Sequence, residues 1–205
     1  YERHVFFQRS SQVIVDPGST MEQVGTAMGE LTGYLAELLA AKDAEPADDL
    51  LSRLVTGYVR PGTISLDEAA NMSRFLLTAG HETTANMIAL GALLLLCHPD
   101  QLAELRATDD PEVVQSAVHE MLRYLSVLTQ GVVRTAREDL RIGDTLIRAG
   151  EAVVVPFNAA NRDPAAFTGD PDQFDIHRDA RRHLAFGFGA HHCLGRPLAL
   201  LELEV

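Results

Sequence analysis

Apolar positions along the chain fall into helical spacing first and into short β runs later. Met21, Val24, Met28, Leu31, Tyr34, Leu35 and Leu38 recur three or four residues apart, and Ser19 with Glu22 has the spacing of a capping box that would start this helix. Gly25, Gly29 and Gly33 lie on the same helix, each costing about 1 kcal/mol relative to alanine, so the strip predicts a close crossing with another helix. The 21/28/35 and 24/31/38 repeats also fit a short coiled coil, which so many glycines disfavour. Upstream, residues 1–18 read as the end of a helix and a turn at Asp16-Pro17-Gly18. Downstream, a polar connection over 43–49 leads to a short helix around Leu50 to Tyr58 and a turn at Arg60-Pro61-Gly62.

Ser65 with Glu68 forms a second capping-box pair, and no decisive break follows until Cys97-His98-Pro99. One helix over 66–97 would be about 48 Å long at 1.5 Å per residue, enough to cross a whole domain. Pro99 and Pro111 suit first helical turns and predict helices over 100–106 and 111–125. After Leu128 the pattern becomes β: Val132-Val133, Leu140 to Ile142, Thr145 to Ile147 and Ala152 to Val155, divided by Gly143-Asp144 and Ala149-Gly150. Residues 156–183 are rich in Asn, Asp, Pro and Arg, with one helical turn at most, and a last helix follows Gly195. The fold class is mainly α with small β elements. There is no internal repeat.

The formal charge of −12 argues against nucleic acid as a partner, because a phosphate-binding face needs clustered Lys and Arg. The longest apolar run, 87–97, is far short of the roughly 20 residues of a membrane span, so no membrane is expected. Cys97 and Cys193 make no disulfide framework, which points to a reducing, cytoplasmic setting. The chain opens at Tyr1 without Met or a charged-then-apolar leader and reads as a fragment.

Candidate chemistry gathers in three places. Phe186-Gly187-Phe188-Gly189-Ala190-His191-His192-Cys193-Leu194-Gly195 sets a thiol at the start of a helix, where the macrodipole suits a thiolate ligand or nucleophile. A buried, inert cysteine after a glycine-rich turn is the alternative. Structural zinc is disfavoured, since His183, His191, His192 and Cys193 lack its paired spacings. Ala79-Gly80-His81-Glu82-Thr83-Thr84 interrupts the long apolar helix with an acid beside an alcohol. This pair could pass protons inward from solvent, or it is a solvated patch on a partly buried helix. On the helix from Pro111, the residues Val114, Ala117, Val118, Met121, Leu122 and Leu125 define the apolar face, so periodicity alone places Glu120 and Arg123 outside as an exposed ion pair.

Taken together, these segments resemble the cytochrome P-450 superfamily of haem-thiolate monooxygenases, in their soluble bacterial form. Phe186, Gly189, His191, Cys193 and Gly195 match F-x-x-G-x-[HR]-x-C-x-G at every fixed position. Residues 79–84 match the oxygen-binding segment of the family's central helix, Glu120 to Arg123 match E-x-x-R, and 171–178 look like the meander before the haem loop.

The resemblance implies a single haem-binding unit over 1–205, truncated at the N-terminal half and at the extreme C-terminus. It implies haem b with Cys193 as axial thiolate, donating electron density to the iron. Arg134 and His191 would hold propionates, and Phe186 would flank the sulfur. Gly187 and Gly195 would let backbone N–H groups approach it. Gly80 would leave room for dioxygen, Ala79 would count with it among the cofactor-binding residues, and Glu82 with Thr83 would deliver protons. Glu120, Arg123 and Arg178 would form a buried structural network, against the periodicity reading. His192 would be a bystander.

The implied reaction inserts one oxygen atom from O2 into a small hydrophobic organic substrate, as in bacterial secondary metabolism. Electrons would come from ferredoxin and ferredoxin reductase. Arg178, Arg181, Arg182 and Arg196 against Asp179 would give the docking face an excess of three positive charges. A truncated or degenerate protein that binds haem or a partner without turnover is the alternative.

Overall fold

The structure, a computed structural model, describes residues 3–128 and 131–205. Its chain forms two compact units, 1–82 and 83–205.

The first unit begins with α1 (His4–Val15) and α2 (Met21–Ala44). The cap of α2 is one residue later than the sequence spacing suggested. Thr20 Oγ1 accepts from the Gln23 N–H at 3.2 Å, and Gln23 Oε1 accepts from the Thr20 N–H at 2.7 Å. Ser19 instead closes the preceding turn, its N–H donating to the Asp16 carbonyl at 3.0 Å. Helix α2 buries Ala27, Leu31, Leu35 and Leu39, one residue per turn, while Met21 stays exposed. Gly25, Gly29 and Gly33 face open space, with no atom within 4 Å of where a Cβ would stand. Among the described residues nothing crosses closely at the glycine strip; the residues that pack are the i, i+4 ladder on the other side.

Helix α3 (Leu50–Leu54) is capped by Asp49 and continues as a π-helical turn, Val55–Val59. Both lead into α4 (Leu66–Leu96). Ser65 and Glu68 cap α4 reciprocally: the Glu68 N–H donates to Ser65 Oγ at 3.1 Å and the Ser65 N–H to Glu68 Oε2 at 2.7 Å. Leu39, Val55, Ala69 and Ala70 form this unit's core.

The second unit holds the rest of α4, then α5 (Pro99–Ala107) and α6 (Pro111–Leu125). Strand β1 (Val132–Thr135) pairs antiparallel with β4 (Ala152–Val155), and β2 (Leu140–Ile142) with β3 (Thr145–Ile147). Gly131 enters β1 at φ +70°, and a Cβ there would sit 2.5 Å from the Val155 carbonyl oxygen, so only glycine fits. A single turn, α7 (Phe157–Ala160), precedes the long irregular segment, and α8 (Arg196–Glu204) closes the chain. The core joins Met87 and Leu94 of α4, Ala117, Val118, Met121 and Leu122 of α6, and Phe174 and Ile176. Among the described residues no single helix is long and apolar enough to cross a membrane; only α4 with α5, bent by 107°, passes that test as a pair.

Candidate haem-thiolate site

Helix α6 carries the scaffold. Seven consecutive residues, Ala117 to Arg123, are buried, so both faces of the helix are covered. One face meets the apolar core, and the irregular segment after α7 covers the other. Glu120 and Arg123, both 0% exposed, are thus an interior pair, which corrects the surface placement that periodicity alone gave. Periodicity missed this because the covering layer is not a regular element whose pattern would announce it.

Within that layer the charges are closely matched by partners. Arg123 donates from Nε to Glu120 Oε2 and from Nη2 to Glu120 Oε1, both at 2.7 Å. Its Nη1 donates to the carbonyls of Asn161 and Pro171 at 2.8 Å, and Nη2 also to Gln173 at 3.3 Å. All five guanidinium protons are therefore used. Arg178 Nε reaches Glu120 Oε1 at 3.2 Å, and its two Nη atoms donate to the carbonyls of Thr168, Asp170 and Gln173. Two guanidiniums share one carboxylate, and backbone carbonyl dipoles neutralise the remaining positive charge.

Arg178 is thus buried, not a surface cation. The exposed excess between His177 and Arg196 falls from three positive charges to two: Arg181, Arg182 and the half-buried Arg196 against Asp179.

Sequence reasoning passed over Asn161 and the pairing of two histidines. Asn161 is fully buried; its Oδ1 accepts from the Leu184 N–H at 2.7 Å and its Nδ2 donates to Ser126 Oγ at 2.9 Å. It therefore ties the residues just ahead of the cysteine loop to the end of α6. In sequence it is one polar residue of a polar stretch, with nothing to mark it. His119 and His183, 64 residues apart, meet at 3.1 Å between Nδ1 and Nε2. Burial, reinforced by His119, Arg196 and Arg123, pushes His183 down to about 4. His119 is lowered as well, by burial and then by Arg196 and Arg181, with Asp179 opposing.

The loop from Phe186 to Gly195 brings five of the expected site residues together. Gly187 and Gly189 take φ of +70° and +80°, the left-handed region that turns the chain back on itself. The Cys193 N–H then donates to the Phe186 carbonyl at 2.9 Å, and the thiol lies one turn before α8. Cys193 is free and exposed, which sets aside the buried-cysteine alternative. A Cβ at Gly195 would lie 3.8 Å from the sulfur, an ordinary van der Waals contact.

His191 is exposed on the 3-10 turn, Gly189–His191. Arg134 is exposed on β1, its guanidinium meeting only the Val133 carbonyl among the described residues. Ala79, Gly80, Glu82 and Thr83 follow one another on α4, with Glu82 half-buried and open space over Gly80.

These features fit haem. An accessible thiol supplies a soft ligand for iron, and the loop around it exposes Phe188 at 87% and Leu194 at 81%, apolar surface of the kind a macrocycle covers. Among the described residues no three His, Cys, Asp or Glu side chains gather into a metal cage.

Comparison with known proteins gives the same class. The sequence profile of the family Cytochrome P450 matches residues 2–205. Cytochrome P450-SU2 of Streptomyces griseolus is 51% identical over 205 residues, covering 100% of this chain and 49% of that protein. The crystal structure of GfsF, a cytochrome P450 of Streptomyces halstedii, superposes with a TM-score of 0.86 at 47% identity, covering 100% of this chain and 51% of the other. That of the mycinamicin VIII C21 methyl hydroxylase of Micromonospora griseorubida, bound to mycinamicin VIII, superposes with a TM-score of 0.90 at 43% identity, covering 100% and 51%. The chain belongs to the cytochrome P450 family, whose cofactor is haem b. It spans about half the length of the curated relatives it matches.

Proposed function

We propose that this chain is the haem-thiolate part of a bacterial monooxygenase that inserts one oxygen atom from O2 into a small hydrophobic organic molecule. The observation that carries the reading is the free, exposed Cys193, fixed by the Phe186 carbonyl in a glycine-turned loop at a helix start. Bound haem supplies the oxidising chemistry; the chain supplies ligation, orientation and protons. Cys193 would ligate through its thiolate, with Phe186 flanking it and Gly187 and Gly195 letting backbone N–H groups approach the sulfur. Arg134 and His191 hold propionates through charge-assisted hydrogen bonds. Glu82, half-buried on α4, exchanges protons with solvent at its carboxylate, and Thr83 holds a hydroxyl hydrogen for delivery. Ala79 and Gly80 keep the helix surface low beside them. Glu120, Arg123 and Arg178 hold the segment that leads into the cysteine loop.

Electrons come from a ferredoxin, itself reduced by a ferredoxin reductase, in the cytoplasm. The exposed excess at Arg181, Arg182 and Arg196 supports an acidic partner there, and such a face acts mainly on the rate of encounter. The reading is tested by adding carbon monoxide to the reduced holoprotein. A red-shifted, thiolate-type Soret band that disappears in Cys193→Ser supports it; a holoprotein without that band refutes it.

A further inference from the structure

The buried pair His119 and His183 is a polar cluster of the second unit that the proposed site does not use. Its hydrogen bonds fix where its protons sit. His183 Nδ1 accepts from the Ala185 N–H at 3.1 Å, so that nitrogen is unprotonated and the ring proton lies on Nε2. Nε2 faces His119 Nδ1 at 3.1 Å, which must then be the acceptor. His119 consequently carries its own proton on Nε2, and it lines a groove of about 220 Å³ with Glu112, Ser116, His177, Asp179 and Arg181.

Each ring is thus limited to one neutral tautomer. The His183 ring also packs on Phe186, centroids 5.6 Å apart, and the Phe186 carbonyl is the group that holds the Cys193 N–H. A continuous set of contacts therefore runs from α6 through His119, His183 and Phe186 to the backbone of the cysteine.

From this geometry we infer that His119 and His183 are positioning residues for the thiolate, holding the cysteine loop through a single-tautomer hydrogen bond. The inference rests on the reading that Cys193 ligates haem. A proton placed on His183 Nδ1 would oppose the Ala185 N–H donor to donor and disturb the ring that packs on Phe186. The surroundings resist that proton. Burial acts first, and the charges facing the pair are Arg123 from α6, Arg196 from α8 and Arg181 from the irregular segment, against Asp179. Glu112 and His177 face the groove side of His119.

Two measurements on the holoprotein test this. In the reduced, carbon monoxide-bound state, the 15N shifts of His183 should report an unprotonated Nδ1 and a protonated Nε2; a protonated Nδ1 overturns the inference without any variant. Second, the thiolate-type Soret band is followed at pH 6 in the native protein, His119→Leu and His119→Asn. Leu removes the acceptor, whereas the Asn Oδ1 can take the place of Nδ1. Loss of one hydrogen bond corresponds to roughly a tenfold faster conversion to a thiol-type band in His119→Leu, with His119→Asn close to native. Equal rates in all three proteins overturn the inference while leaving haem-thiolate ligation intact. Absence of the thiolate band from the native protein removes the ligation reading itself, and the positioning role with it.

Discussion

Glu120→Gln tests the buried network with almost no change in shape. Glu120 Oε1 accepts from Arg123 Nη2 at 2.7 Å, the Asp175 N–H at 3.1 Å and Arg178 Nε at 3.2 Å, and Oε2 accepts from Arg123 Nε at 2.7 Å. A glutamine amide can put its oxygen at only one of these places. With the oxygen at Oε1, the NH2 group meets the Arg123 Nε–H donor to donor; the opposite orientation opposes three donors. Either way the negative charge between two interior guanidiniums is lost. Removing one partner of a buried ion pair costs about 3–5 kcal/mol, a large share of the roughly 5–15 kcal/mol that holds a typical domain.

Urea unfolding of Glu120→Gln should show that loss. Glu112→Gln, at an exposed position on the same helix, should stay within about 0.5 kcal/mol of the native protein. Removing Arg178 as well, in Glu120→Gln/Arg178→Gln, should cost less than the two single losses added, because the second change relieves an uncompensated charge. A Glu120→Gln loss below about 1 kcal/mol, or strict additivity in the double variant, would refute the account of Glu120 as the shared counter-ion.

Other outcomes follow from the same geometry. His183 binds its proton at about 4 when folded and at 6.5 when free, so between these values the unfolded chain holds the extra proton and stability falls as pH falls. From pH 6.5 to 5 the loss should be about 1.6 kcal/mol by chemical denaturation, and a His183→Phe variant should lose most of that slope. Gly131→Ala combines a positive φ with a 2.5 Å backbone approach and should lower the unfolding midpoint far more than Gly91→Ala, whose Cβ meets only the flexible end of Met121 at 3.2 Å. Equal shifts would contradict this. Under the proposed function, Glu82→Gln or Thr83→Ala should cut product formation by about 10²–10⁴ without removing the thiolate-type band. Arg181→Glu/Arg182→Glu should slow reduction by an acidic ferredoxin and weaken its salt dependence; unchanged stopped-flow kinetics would remove that face from the docking site.

The sequence by itself determined most of the elements and the turn that carries Cys193. Ser65, Glu68 and the absence of a breaker set α4; Pro111 and the apolar spacing set α6; glycines at 187 and 189 set the turn that carries Cys193. Each of these is a local matter, decided by backbone conformation, capping or spacing within a few residues. What surrounds each element was not legible in that way. The α6 pattern placed Glu120 and Arg123 in solvent, and only the irregular segment around Asn161, Pro171, Gln173 and Arg178 encloses them. The glycine strip of α2 predicted a close crossing that no described residue makes. Arg178 counts as a surface charge until the fold brings it to a carboxylate partner 58 residues away. His119 and His183 carry no local mark of their pairing, and neither does Asn161. Burial, and with it the protonation and partners of every charged group, depends on which segment folds over which, and hydrophobic periodicity within one element holds no information about a covering layer built from irregular chain.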